Sequence, residues 1–346
     1  MSKTQLKSPR ILRLAVLMAA PAFWGVPGSP VRAQQKGQPV DTSEIQVLPV
    51  RGNIYMLSGA GCNITVSLGA DGAFLVDSGV ARMGDKVLAA IRQLAKTNRP
   101  VVRYIVNTSL DSDHTGANDK IAPAGFTVAG GIGDATLADA GEGAAIIAHE
   151  NVLSRMSALA QPKLPFAALP TDTYYGADMK LSHFFNGEGI RIYHIPSAHT
   201  DGDSIVYFRG VDDVISAGDI FLTTSYPAID VANGGNVQGV IQGLNQIIDI
   251  AIPFYRMEGG TMIIPGHGRL SDVADVAFYR DMVTIVRDRV EALIQKGYTL
   301  EQVKAAQPTQ DYDLRYGTSS GAWTAGNFVE GVYRSLASAK SRAVSR

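Results

Sequence analysis

Six side chains in this sequence have the types and spacing to hold a metal ion: Asp111, Asp113, His114, His199, Asp219 and His267. Each follows a run of apolar residues, in a segment rich in glycine, serine or threonine. The segments are Asp111-Ser112-Asp113-His114-Thr115-Gly116, Ala198-His199-Thr200-Asp201-Gly202-Asp203, Ala217-Gly218-Asp219 and Pro265-Gly266-His267-Gly268. Imidazole nitrogens and carboxylate oxygens, with no thiolate among them, suit a borderline dication such as zinc. Histidine offers an unprotonated nitrogen near neutral pH at small cost. A carboxylate set between two cations reduces their repulsion. One histidine alone is more often a hydrogen-bonded structural residue; three at strand ends, with aspartates beside them, point to ligation. A cation with an open position activates water, and the chemistry expected of the set is hydrolysis.

Such ligands need rigid elements to present them. The Val101–Val106 run reads as a buried strand and leads to Asp111–Gly116. Ile190–Ile195 leads to His199, Asp213–Ala217 to Asp219, and Thr261–Pro265 to His267. Four strands thus deliver ligands from loops at their C-terminal ends, which is how a fixed scaffold carries a variable site. Further strands are expected at Ile54–Leu57, Cys62–Val66 and Ser204–Phe208, and a Gly69–Gly72 turn joins the second of these to Ala73–Asp77 as a hairpin. Helical spacing covers Met83–Leu94, Asn236–Ile250, Val273–Lys296, Leu300–Ala306 and Phe328–Ala339. Strands then helix, twice, predict packed sheets with helices outside. Residues 129–189 and 221–236 read as the loops that shape a pocket.

Taken together, Asp113-His114-Thr115-Gly116, Ala198-His199-Thr200, Gly218-Asp219 and Pro265-Gly266-His267-Gly268 resemble the metallo-β-lactamase superfamily in order and approximate spacing. Val76-Asp77-Ser78-Gly79 resembles its strand-end aspartate. The resemblance runs from about Leu48 to Leu270 and implies an α/β fold, an αββα sandwich with metals at one edge of its two sheets. It makes Asp113, His114 and His267 one metal site, Asp219 the bridging carboxylate and His199 a ligand of the other site. The family's His-x-His-x-Asp-His stands here as Ser109-Leu110-Asp111-Ser112-Asp113-His114. Both leading histidines are replaced, and Asp111 offers a carboxylate in place of one imidazole. Three readings stay open: one zinc at Asp113/His114/His267; a second ion, zinc, manganese or iron, at Asp111, His199 and Asp219; or loss of metal catalysis.

In either metal-bearing case the expected activity is hydrolysis of an ester, lactone or amide of a small-molecule substrate, a β-lactam ranking below these. Asp113, Asp111 or His199 is the expected general base. The rival classes are a non-catalytic periplasmic binding or accessory protein on the same fold and an iron-dependent redox or sulfur-handling relative.

Other residues carry less. His149 either lines the pocket or caps a helix, the structural role being favoured. Tyr226 either faces substrate or packs in the core. His183 and His194 are expected to be structural or at the surface, and Trp323 and Phe328 to anchor the tail. Ser109 is expected to accept a backbone hydrogen bond, and Cys62 to be buried rather than reactive.

The N-terminus reads as an export signal. Lys3, Lys7, Arg10 and Arg13 precede an apolar stretch from Leu14 to about Trp24, and Val31-Arg32-Ala33 fits a cleavage site. The apolar run is shorter than the ~20 residues of a membrane span. Residues 1–33 are therefore expected to leave a periplasmic or secreted protein with no membrane span. Residues 34–45 would form a flexible leader, 46–270 the main domain and 271–346 a helical C-terminal extension packed on it. Removing five of 31 basic residues leaves 26 against 32 acidic ones. That balance argues against a nucleic-acid partner. One cysteine allows no internal disulfide.

Overall fold

Side-chain alternation sorts this chain into layers. In the strand Gly72–Val76, Ala73 and Leu75 point to one apolar cluster and Phe74 and Val76 to another. Ser204–Arg209 does the same, with Ile205 and Tyr207 on one side and Val206 and Phe208 on the other. A strand with both faces apolar lies between two packed layers. The computed structural model describes residues 44–99, 101–126, 143–159, 163–252, 259–318 and 324–344.

One sheet has the order β1 (Gln46–Arg51), β2 (Ile54–Ser58), β3 (Ile64–Gly69), β4 (Gly72–Val76), β5 (Val102–Val106), β6 (Ala145–His149) and β7 (Asp172–Tyr174). Its first four strands pair antiparallel and β4 to β7 pair parallel. The other runs β12 (Met262–Ile264), β11 (Val214–Ser216), β10 (Ser204–Arg209), β9 (Glu188–His194) and β8 (Asp178–Phe185). Only β11 and β12 are parallel in this second sheet.

Between the sheets lie Ile54, Phe74, Val106, Ile192, Phe208 and Ile264, among others. Outside the first sheet, α1 (Gly84–Ala95) and α3 (Asn118–Ile121) contribute Val87, Ile91 and Ile121 to a core with Leu75 and Ile105. Outside the second, α5 (Val237–Ala251), α6 (Val273–Gln295) and α9 (Ala325–Val344) cover Ile205, Ile215 and Ile263 with Leu244, Val283 and Phe328. The result is the α/β, αββα sandwich expected, with a helical C-terminal region. Each large side chain so buried contributes about 1.5–3 kcal/mol. The helix starts are chemically marked: Asn236 caps α5 and Asp272 caps α6 with their side chains.

Some expectations need correction. Residues 129–189 are not loop throughout, since they contain β6, α4 (Glu150–Ala158), β7, the whole of β8 and the start of β9. Cys62 lies in the bend before β3 rather than in a strand, although it is buried as expected. The export signal, the leader up to residue 43 and Trp323 lie outside the described residues, as does the side chain of His183. Among the described residues, no helix is long and apolar enough to cross a membrane.

Candidate metal centre

The six candidate side chains come from four strand ends to one edge of the sandwich. After β5 the chain runs through Thr108–Asp111 into α2 (Ser112–Thr115), a single turn that sets Asp113 and His114 side by side. Asp111 precedes that turn in extended backbone, and its carbonyl accepts from Thr115 Oγ1 at 3.0 Å. Ser109 Oγ accepts the Asp111 backbone N–H at 3.3 Å, so its hydroxyl shapes the loop. His199 follows β9, Asp219 follows β11 and His267 follows β12.

Two groups of three ligand atoms emerge, each within 4.8 Å of one another: Asp113, His114 and His267, and Asp111, His199 and Asp219. Asp219 also reaches the first group, with Oδ1 3.2 Å from His114 Nε2 and 3.5 Å from His267 Nε2. Asp113 Oδ2 lies 3.2 Å from His267 Nε2, and Asp111 Oδ2 lies 3.2 Å from His199 Nε2.

The partners behind the imidazoles fix which nitrogen faces inward. His114 Nδ1 is 2.8 Å from Asp77 Oδ2, and a carboxylate can only accept, so Nδ1 carries the proton and Nε2 points to the centre. Asp77 is itself held by the backbone N–H and the hydroxyl of Thr108 at 2.8 and 2.7 Å. Behind His199, Asp203 Oδ1 lies 3.4 Å from Nδ1, an ion-pair distance without hydrogen-bond geometry. Asp203 accepts from the backbone and hydroxyl of Thr200, each at 2.7 Å. The His199 loop is clamped to α4 through Asp201, which takes both Nε and Nη2 of Arg155. Asp203 in this role was not read from the sequence; its i, i+4 spacing from His199 was the available signal.

Glycine makes room for the meeting point. A side chain at Gly266 would run into Asp219 Oδ1 and the Gly218 backbone. Gly266 N donates to the carbonyls of Gly218 and Phe221 at 2.9 and 3.1 Å, stitching the His267 loop to the Asp219 turn.

The electrostatics call for positive charge. Burial opposes charge on His114, yet the carboxylates of Asp219 and Asp77 hold it well above the ordinary histidine range. His199 is likewise pushed up to about 10 against its burial, by the carboxylates of Asp203 and Asp111. Asp219 is fully buried, but His114 and its neighbouring histidines hold it well below the usual carboxylate range. Asp113 is lowered despite partial burial, by its hydrogen bond to His267 and the charge of His114. Asp111 is raised, chiefly by burial. In the protein alone, protons on imidazole supply the charge that a cation would otherwise supply, and metal binding would release them. His114 Nε2 and Asp219 Oδ1 are buried, face each other and make no hydrogen bond. Unsatisfied buried polar atoms are costly unless a ligand meets them. The donor set therefore fits a divalent cation.

A cleft of about 490 Å³ opens onto this centre, lined by Asp111, Ser112, Asp113, His199, Asp219, Ala228, Ile229, Asp230 and Asn327. Asn327 belongs to α9, so the C-terminal region forms part of the wall. Other sequence candidates take structural places. His149 caps α4, accepting the Asn151 N–H at 3.3 Å, and stacks on His194 at 3.6 Å. Tyr226 does not face the cleft: it is buried, stacks on Phe328 at 5.0 Å and donates to Asp313 Oδ1 at 2.8 Å. Phe328 thus anchors α9.

The model of the metallo-beta-lactamase superfamily matches residues 57–270. Among solved structures, the stereoselective inverting sec-alkylsulfatase Pisa1 from Pseudomonas sp. is 15% identical, with a TM-score of 0.57 over 84% of this chain and 50% of its own. A double mutant of the sec-alkyl sulfatase PisA1 is 14% identical, with a TM-score of 0.60 and the same coverage. This chain thus spans about half the length of the alkylsulfatase. The DIM-1 metallo-beta-lactamase is 15% identical over 70% of this chain and 97% of its own, with a TM-score of 0.49. No curated protein matches the chain. At these identities the structural likenesses speak for the fold alone. The family match spans more than half of the sequence and includes all six candidate ligands, and the chain belongs to the metallo-beta-lactamase superfamily.

Proposed function

We propose that the protein is a metal-dependent hydrolase of an ester, lactone or amide bond. Asp113, His114 and His267 would hold one divalent cation, zinc foremost; Asp111 and His199 would hold a second, with Asp219 shared between them. The observation that carries this reading is the facing pair of buried, non-hydrogen-bonded atoms, His114 Nε2 and Asp219 Oδ1, at the junction of the two ligand groups.

A bound cation supplies Lewis acidity, lowering the pKa of a water and polarising the carbonyl of the substrate. The chain's own residues do the rest. Asp77 keeps the His114 imidazole in one tautomer and one orientation, and Asp203 sets a carboxylate behind His199. Asp113 lines the cleft with a carboxylate held in its ionised form, and the oxygen it does not give to the cation would accept a proton from the attacking water. Asp219 is screened from solvent and held ionised by the histidines around it.

The cleft lining favours an uncharged substrate. Four carboxylates, Asp111, Asp113, Asp219 and Asp230, line it, and no lysine or arginine does among the described residues. An anionic group would find no side-chain cation to pair with. A neutral ester or lactone suits it better than a β-lactam carboxylate. The export signal read from residues 1–33 supports action in the periplasm or outside the cell.

Turnover of a panel of p-nitrophenyl esters, lactones and amides by zinc-loaded protein tests the proposal. Hydrolysis that falls at least about 100-fold in Asp113→Ala is expected. Hydrolysis undiminished by that change, or absent across the panel, would sink it. A second reading rests on the oxygen-rich group: two carboxylates and one imidazole also suit manganese or iron. An iron-dependent absorption band lost in Asp111→Ala would support a redox relative instead.

A further inference from the structure

A second hollow adjoins the metal centre on the far side of α2. It has a volume of about 490 Å³, and its apolar lining is Val80, Ala81, Met156, Leu164, Pro165 and Ala168. Ser112 lines both this trough and the metal cleft, so α2 forms the ridge between them. Val80 ties the two together from the opposite side. A side chain at Gly61 would touch Val80 Cγ1 and Asp113 Cβ, which places an apolar wall residue beside a candidate ligand. The charged residues of the trough, Arg82 and Asp119, are of opposite sign and add no net charge. On the short turn that carries Pro165 and Ala168, Phe166 is 87% exposed, an apolar residue that the core does not account for.

Nothing in the fold requires this hollow. Met156 packs on Val152 and Ala148 beneath it, and close approach between α2 and the 79–81 segment is secured at Gly116, where a side chain would meet Ala81 N and Ser112 O. The hollow has the size and lining of a small-molecule pocket: concave, mainly apolar and edged by a few polar groups. Ser112, common to both linings, is the ridge that a chain running from the trough to the metal cleft would cross.

We infer that this trough holds an unbranched apolar chain attached to the scissile carbonyl group, making the substrate an uncharged ester, lactone or amide with a medium-length acyl or alkyl chain. The carbonyl part rests on the hydrolase reading above; the chain-binding part stands on the trough itself.

Two uncharged ketones that cannot be hydrolysed, 2-butanone and 2-decanone, separate the two parts. Each methylene entering an apolar site strengthens binding about fourfold. On full-length, zinc-loaded protein, 2-decanone is expected to bind at least about tenfold more tightly than 2-butanone. It should also shift the ¹³C-methyl resonance of Met156, assigned through Met156→Leu. Ala81→Phe adds bulk at an exposed position in the trough and should remove the advantage of 2-decanone while leaving metal content and circular dichroism unchanged. Equal binding of the two ketones would overturn the inference. So would 2-decanone binding that leaves the Met156 methyl unmoved and is indifferent to Ala81→Phe. Chain-dependent binding in a protein that hydrolyses nothing supports the trough and overturns the hydrolase reading instead.

Discussion

His114 Nδ1–H donates to Asp77 Oδ2 at 2.8 Å, and this contact, made across 37 residues, aims Nε2 at Asp219. Asp77 sits at φ 66°, a left-handed conformation that asparagine also tolerates. Asp77→Asn is therefore expected to fold but to orient and polarise the His114 ring less firmly. Metal affinity should fall about 10- to 100-fold, as for other partners of ligating histidines. Competition with a chromophoric chelator measures this, and an affinity within twofold of wild type would remove Asp77 from the site's support.

Gly266→Ala places a methyl group against the Asp219 carboxylate and the Gly218 backbone. Asp219 must then move away from both ligand groups. The expected result is less than one metal per chain and a hydrolytic rate at least about 100-fold lower, since displacements near 1 Å have that effect. Circular dichroism should be unchanged. Full metal content in this variant would show that Asp219 does not occupy the shared position.

Much of this arrangement was legible from residues alone. The Gly69–Gly72 turn before Ala73–Asp77 and the apolar run of Ser204–Phe208 marked strands, and Asn236 marked the start of α5, because those signals are local. The ligands were legible because glycine-rich turns follow apolar runs at each of them. β6, β7 and α4 were not, since β7 has three residues and gains its place from β6 across a parallel pairing. The places of Asp77 and Asp203 behind the histidines depend on where loops close, which spacing along the chain does not state. Tyr226 was ambiguous for a like reason: its partners Thr309 and Asp313 lie more than 80 residues away.

His149 gives the fold a pH dependence of definite sign. Burial, and the charge of His194 stacked on it, pull its pKa down to about 4. Between that value and about 6.5 the unfolded chain binds the proton and the folded chain does not. The stabilising contribution is complete above pH 6.5 and is lost as the pH falls towards 4. His149→Asn keeps a capping side chain that does not titrate. Urea unfolding at pH 8 and pH 5 should show a smaller loss on acidification in the variant than in wild type; equal losses would refute the assignment.

Tyr226 tests the attachment of the C-terminal helices separately from the chemistry. Its hydroxyl donates to Asp313 Oδ1 at 2.8 Å and lies 3.2 Å from the Thr309 carbonyl, both just before or within α8 (Asp313–Tyr316). Tyr226→Phe is expected to lower unfolding stability by about 1–2 kcal/mol. Metal content should not change. A loss of metal would show that Tyr226 supports the centre as well as the core.

The central claim is that two ligand groups share Asp219, and metal stoichiometry tests it most directly. Native mass spectrometry of protein purified without chelators should find two metal ions per chain. Asp111→Ala should lose one of them and His267→Ala the other. A single ion that survives Asp111→Ala would contradict the second position, and no ion in the wild-type protein would contradict the metal centre itself.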